Sequence, residues 1–164
     1  MRNTMIQVGQ KIPEGITLKK VVDGEISDCS SSDLKTGKIV IFGLPGAFTP
    51  VCSSQQLPSY LAKEKAFKAK GVDQLICLSV NDPFVMKAWG DALGIDGKIT
   101  LLADGNAELT KALGLTLDGT AFGLGIRSQR YVMVLHNGIV EKLDVEESAG
   151  ECKVSHADQV IEGL

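Results

Sequence analysis

The sequence contains no run of about 18 apolar residues, so no segment of it reads as a membrane-spanning helix. No two of its four cysteines, at positions 29, 52, 77 and 152, stand as Cys-x-x-Cys or at zinc-finger spacing. That argues against a structural zinc site and against a thioredoxin-type dithiol. Histidine is scarce: His136 falls in a turn sequence and His156 at a helix start, which suits surface or capping roles. Aromatic residues make up only 5% of the chain. A charge imbalance is missing too, since the net charge of -3 offers no footing for nucleic acid or an anionic membrane. The lysines between 63 and 70 alternate with Glu64 and apolar residues, as on a solvated helix face. Residues 1–7 carry neither an apolar signal region nor an Arg/Ser-rich presequence, so the expected compartment is the cytoplasm, with reduced thiols.

The 164 residues are 44% hydrophobic and 23% charged, the balance of one globular domain over 1–164 with a substantial core. Thr17–Val22 and residues 25–28 flank Asp23-Gly24, a hairpin turn signal. Residues 29–37 are Ser/Asp-rich and read as loop. Residues 38–42 form a nearly continuous apolar run, the mark of a strand covered on both faces. Residues 74–80 and 99–102 read as further buried strands. Leu57, Tyr60, Leu61 and Phe67 recur at helical spacing through about Lys70, with Gly71 as the stop and Pro58 expected to kink the helix. Asn81-Asp82-Pro83 opens a second helix, with either Asn81 or Asp82 capping, and its Phe84, Met86 and Trp89 read first as core. A short helix over 107–113, a hairpin of 131–135 with 139–143, and a closing helix over 156–161 complete an α/β order. It predicts a mixed central sheet, an N-terminal hairpin and helices on both faces.

Residues 39–53 read Ile-Val-Ile-Phe-Gly-Leu-Pro-Gly-Ala-Phe-Thr-Pro-Val-Cys-Ser: a strand feeds a turn that presents one thiol where a helix begins. A free thiol titrates near 8.5, so only a few per cent is thiolate at neutral pH. A helix starting near Pro50 should favour the anion at Cys52, and Arg127 or Arg130 could add a full charge. Lowering the pKa by about two units raises the thiolate only about tenfold, so fast attack on a substrate needs stabilisation of the transition state as well. The sulfur must also be open to solvent.

Pro45, Thr49 and Cys52 stand as Pro-x-x-x-Thr-x-x-Cys. With the longer string around them they resemble the active-site signature of the peroxiredoxins, type-II branch. The segments Ser-Val-Asn-Asp-Pro-Phe-Val-Met-Lys-Ala-Trp at 79–89 and Gly-Ile-Arg-Ser-Gln-Arg-Tyr at 125–131 extend the resemblance over most of the chain. It implies a thioredoxin-like fold and a thiol peroxidase for hydrogen peroxide and small organic hydroperoxides. It implies no metal, haem or flavin, and glutathione with glutaredoxin, or thioredoxin, as reductant. A homodimer through residues near Phe48 and the Phe84 helix is implied as well. On the same resemblance Cys52 is the nucleophile, Thr49 accepts from the peroxide or donates to the thiolate, Arg130 with the Cys52 N–H holds the developing oxyanion, and Pro45 packs over the sulfur and excludes water.

Arg127, three residues from Arg130 along an extended strand, is expected on the opposite side with a supporting role. Val51, where many relatives carry a smaller or polar residue, is expected to tune access. Attack leaves a Cys52 sulfenic acid that a second thiol must resolve. Cys77, in the buried strand, and Cys152, in the loop before the last helix, are both candidates. Direct resolution by glutathione is a third route, and Cys29 reads as an exposed bystander. A redox relay to partner proteins and a non-catalytic holdase on the same fold are the competing functions.

Overall fold

Valine, leucine and isoleucine fill both faces of the central strands because each face is roofed by helices or by a neighbouring layer. The computed structural model describes residues 4–164, so the reading of residues 1–7 lies partly outside the described residues. Strands β1 (Thr17–Val22) and β2 (Glu25–Ser30) form the first hairpin. Its turn works because Asp23 and Gly24 both take positive φ, 49° and 79°, which matches the twist of the flanking strands. β2 runs to Ser30, past the expected end, and takes in Cys29, which is half-buried and not an exposed bystander. The segment read as loop then forms a short 3₁₀ turn, Ser31–Lys35, held by a Ser30/Asp33 capping box.

β3 (Lys38–Leu44), β4 (Gln74–Ser79) and β5 (Thr100–Ala103) are parallel, with β1 antiparallel against β5. β6 (Thr116–Asp118) and β7 (Ile126–Ser128) form a separate two-stranded arm that the sequence reading missed; three-residue strands are too short for a periodic signal. β8 (Tyr131–His136) returns antiparallel beside β3, and β9 (Ile139–Val145) closes the sheet in the order β2-β1-β5-β4-β3-β8-β9. The fold is thioredoxin-like.

Alternation along β3 sorts the core into two layers. Val40, Phe42 and Leu44 face a cluster with Tyr60, Phe67, Met86 and Trp89, while Ile39 and Ile41 face Leu78, Leu109, Tyr131 and Met133. The first layer lies under helices α1 (Leu57–Ala62), α2 (Glu64–Ala69) and α3 (Pro83–Leu93). Tyr60 stacks on Phe42 with centroids 3.9 Å apart, which fixes α1 over the sheet. α4 (Glu108–Leu113) covers the second layer, and α5 (Ala157–Glu162) closes the chain with His156 as its cap.

Two helix expectations change. Pro58 does not kink one long helix; the chain widens into a π turn over Cys52–Gln56, where the Leu57 N–H reaches back five residues to Cys52 O. The break between α1 and α2 falls at Lys63 instead. Phe84 is 74% exposed and is not core, whereas Met86 and Trp89 on the same helix are buried.

Gly43 pairs with Tyr131 across β3 and β8, and a Cβ added there would sit 2.1 Å from Tyr131 Cε1. Gly43→Ala must therefore push a fully buried ring, at a cost on the order of 1–3 kcal/mol. We predict a fall in Tm on the order of 5 °C by calorimetry; an unchanged Tm would show that the ring has room to move.

Candidate active site

The turn between β3 and the π turn is built by Pro45, Gly46, Ala47, Phe48 and Thr49. Phe48 sits at φ 64°, a left-handed conformation that a bulky residue enters only under constraint. Part of that constraint is visible. The Ala47 N–H donates to Asn81 Oδ1 at 3.0 Å, and the same oxygen accepts from Ser79 Oγ at 2.6 Å, so the end of β4 pins the turn. Of the two capping candidates, Asp82 takes the cap, accepting from the Val85 N–H at 2.9 Å, which frees Asn81 for this work.

Thr49 Oγ1 donates to Gly46 O at 2.6 Å. Its proton is thereby held on the protein, and its lone pairs remain available as acceptors. Pro45 is buried directly after β3, and Val51 is half-buried in the first helical turn. Cys52 follows at the start of the π turn, with 0% exposure. This corrects the expectation of an open sulfur. Cys52 packs in the same cluster as Leu44, Ala47 and Leu57, because the widened turn rotates its side chain into the core.

Arg130 is 2% exposed. Its Nη1 donates to Gln56 Oε1 at 2.6 Å, and its Nε and Nη2 donate to Ala149 O at 3.0 and 2.9 Å. Gln56, wholly buried, also donates through Nε2 to Gly43 O at 3.3 Å and Tyr131 O at 3.4 Å. Sequence reasoning missed Gln56, although it stands four residues after Cys52, the separation at which helical side chains become neighbours. Arg130 is thus tied to the Cys52 turn on one side and to the loop before α5 on the other.

Arg127 does not point away from this region as an extended strand would require. It belongs to β7, and the chain changes sheet before β8 begins at Tyr131. Its Nε donates to Leu124 O at 2.9 Å and its Nη1 to Val80 O at 3.3 Å. A Cβ on Gly46 would lie 3.0 Å from Arg127 Nη1 and 3.2 Å from Thr49 Cγ2, so Arg127 backs the active-site turn.

The other thiols divide by exposure. Cys77 is wholly buried on β4 in the core cluster that holds Cys52. Burial pushes its pKa well above the ordinary range, the Cys52 charge pushes the same way, and Arg130 opposes both. Cys152 is half-exposed, and its pKa is also raised by burial, against the Ser155 hydrogen bond and Arg130. Its loop is organised by Glu146, whose carboxylate accepts from the N–H groups of Lys153 and Ser155 at 2.8 Å each and from Ser155 Oγ at 2.6 Å. Among the described residues no group of three or more His, Cys, Asp or Glu is placed to hold a metal ion, and no helix is long and apolar enough to cross a membrane.

Residues 7–161 match the Redoxin family model. Peroxiredoxin-2E-2 of Oryza sativa subsp. japonica, a chloroplastic protein, is 43% identical over 97% of this chain and 72% of its own. Peroxiredoxin-2B of Arabidopsis thaliana is 42% identical over 97% of this chain and 98% of its own. The crystal structure of reduced Prx3 from Vibrio vulnificus in complex with hydrogen peroxide superposes with a TM-score of 0.88, at 45% identity, over 98% of this chain and all (100%) of that one. The chain therefore belongs to the peroxiredoxin family, on its type-II branch, and is a thiol-dependent peroxidase.

Proposed function

We propose that Cys52 is the peroxidatic thiol and that Thr49, Arg130 and Pro45 form the site around it. The observation that carries this reading is the state of Arg130: a guanidinium almost fully buried and, among the described residues, hydrogen-bonded only to neutral oxygens. Three of its five N–H donors are used, leaving two for oxygens of a substrate. The Cys52 thiolate attacks one peroxide oxygen, the O–O bond breaks, and negative charge spreads onto the leaving oxygen. That oxygen takes a proton and departs as water or alcohol, leaving Cys52 as sulfenic acid. Thr49, its own proton on Gly46 O, accepts from the peroxide O–H and so orients it. Arg130 meets the charge as it forms, which lowers the barrier more than it stabilises the bound peroxide. Pro45 covers the site without adding a donor that would compete for the sulfur. No prosthetic group enters these steps, and the electrons come from an external thiol.

Cys77 is the resolving thiol on this reading. It shares the core cluster with Cys52, and the Cys52 charge is the largest influence on it after burial. Both sulfurs sit in regular structure, so the Cys52 turn must open before they join. Cys152 is the second reading, favoured by its partial exposure and by a loop bound to Arg130 through Ala149. Glutathione with glutaredoxin, or thioredoxin, then reduces the disulfide, and the cytoplasm is the compartment that would supply them.

The homodimer is read from aromatic side chains around this end of the fold. Phe48, 57% exposed on the active-site turn, and Phe84 in the first turn of α3 are joined by Phe122 and Ile126 of the β6–β7 arm. Arg127 links that arm to the turn. Exposed apolar residues gathered in this way suit burial against a second copy.

Three outcomes check these assignments. Arg130→Gln should slow Cys52 oxidation by about 10²–10³-fold in stopped-flow measurements. The deficit should persist at a pH high enough to ionise the thiol fully; recovery there would reduce Arg130 to a promoter of ionisation. Peptide mapping after one equivalent of hydrogen peroxide should find a Cys52–Cys77 linkage. A Cys52–Cys152 linkage would move the resolver to the loop, and an isolated sulfenic acid would assign resolution to an external thiol. Phe84→Asp should sediment as a monomer where the unsubstituted chain sediments as a dimer, and equal sedimentation of the two would place the interface elsewhere.

A further inference from the structure

Ser53 follows Cys52 directly, and its hydroxyl accepts a hydrogen bond from the Trp89 indole Nε1–H at 2.9 Å. Trp89 is 1% exposed on α3 and belongs to the core cluster that contains Cys52 and Cys77. This bond joins a neighbouring helix to the turn that carries the sulfur.

The turn's bonds beside the sulfur are local, while Gln56 at its far end is tied to Gly43, Tyr131 and Arg130. Ser53 N–H reaches Thr49 O at 3.0 Å and Ser54 Oγ reaches Pro50 O at 2.7 Å, while Leu57 N–H bridges five residues to Cys52 O. Pro58 contributes no N–H to the next position. Local bonds of this kind are lost together when the turn unwinds. The indole bond is different because its donor stays fixed in α3, so it opposes the first step of opening.

We propose that the Trp89–Ser53 hydrogen bond is a latch that keeps the Cys52 turn wound and sets how often the sulfenic acid is resolved before a second peroxide reaches it. The inference rests on the reading of Cys77 as resolver. Trp89 acts through Ser53 and is a positioning residue.

Two fates compete for the sulfenic acid. With the turn wound, the sulfur attacks a second peroxide, the O–O bond breaks, and the products are Cys52 sulfinic acid and one alcohol or water. With the turn open, the Cys77 sulfur attacks the sulfenic sulfur and the S–O bond breaks. The hydroxide leaves with the Cys77 proton as water, and a Cys52–Cys77 disulfide forms. A sheltered hydrogen bond of ordinary strength changes the opening equilibrium about fivefold, equivalent to about 1 kcal/mol.

The test is the ratio of disulfide to sulfinic acid in the full chain, read by intact mass after rising equivalents of hydrogen peroxide. Trp89→Phe and Ser53→Ala should each raise the ratio about fivefold, and the double variant should go no further than either single one. Ser53→Thr, which keeps the hydroxyl, should match the unsubstituted chain. If Trp89→Phe fails to fold, the contrast between Ser53→Ala and Ser53→Thr decides the matter. Cys77→Ser should give sulfinic acid alone, whatever stands at position 53. An intramolecular disulfide surviving in Cys77→Ser would overturn the resolver assignment, and the latch with it. If Cys77→Ser abolishes the disulfide while Ser53→Ala matches the unsubstituted chain, the resolver stands and the latch is wrong. Effects of Ser53→Ala and Trp89→Phe that multiply would also overturn it.

Discussion

A buried guanidinium with no carboxylate partner among the described residues is the constraint on which the proposed site depends. Taking a charge out of water costs several kcal/mol unless hydrogen bonds and an opposite charge replace the solvent. Arg130 has the hydrogen bonds, from Gln56 Oε1 and Ala149 O, but these acceptors are neutral. On the proposed mechanism its charge is met by the Cys52 thiolate and then by the oxyanion that breaking a peroxide O–O bond generates. The neutrality of Gln56 therefore matters as much as its position. A carboxylate there would hold the arginine equally well and would also cancel the field that the reaction uses. The same bonds make Arg130 a crosslink, since Gln56 lies on the Cys52 turn and Ala149 on the loop that carries Cys152.

The second constraint is covalent. Pro58 has no N–H and would leave an α-helical ladder incomplete six residues after Cys52. The chain answers by widening, with Leu57 N–H bonded to Cys52 O, and this π turn carries both Cys52 and Gln56 inward. Local widening of this kind is often found at functional sites. Here it has a stated cause and a stated result. The sulfur and the amide that holds the arginine face the core together.

Much of this was legible in the sequence, and the exceptions have physical reasons. The central strands are clear because residues covered on both faces must be continuously apolar, as 38–42 are. The hairpins are clear because Asp23-Gly24 and Asn137-Gly138 accept the positive φ that tight turns demand. The Pro45, Thr49 and Cys52 spacing is clear because it is local. Partnerships across long separations were not legible. Gln56 with Arg130, Asn81 with Ala47 and Trp89 with Ser53 depend on how the helices lie on the sheet, which composition and periodicity leave open. Arg127 was misplaced because a strand exchange between Ser128 and Tyr131 leaves no periodic mark, and strand alternation was applied across a break. The burial of Cys52 is not legible because helical spacing presumes a regular helix start, whereas the chain widens into a π turn there.

Complete burial of a nucleophile conflicts with its task only if the site never moves. A site closed nine-tenths of the time loses about tenfold in apparent rate, since reactivity scales with the competent fraction. Each well-placed donor at a developing oxyanion contributes about 10²–10³-fold in return, and that gain requires a dry, ordered site. The closed state is therefore favoured even on grounds of speed. On the proposed cycle it also keeps bulk water from the product, so that a sulfenic acid persists until the turn opens toward a thiol. Opening on that proposed cycle serves two purposes, admitting a peroxide small enough to need little room and releasing the sulfur toward a resolving thiol, which needs much more. A turn held by a few bonds, with one anchored in a neighbouring helix, can separate these two amplitudes of motion where a rigid α-helix could not.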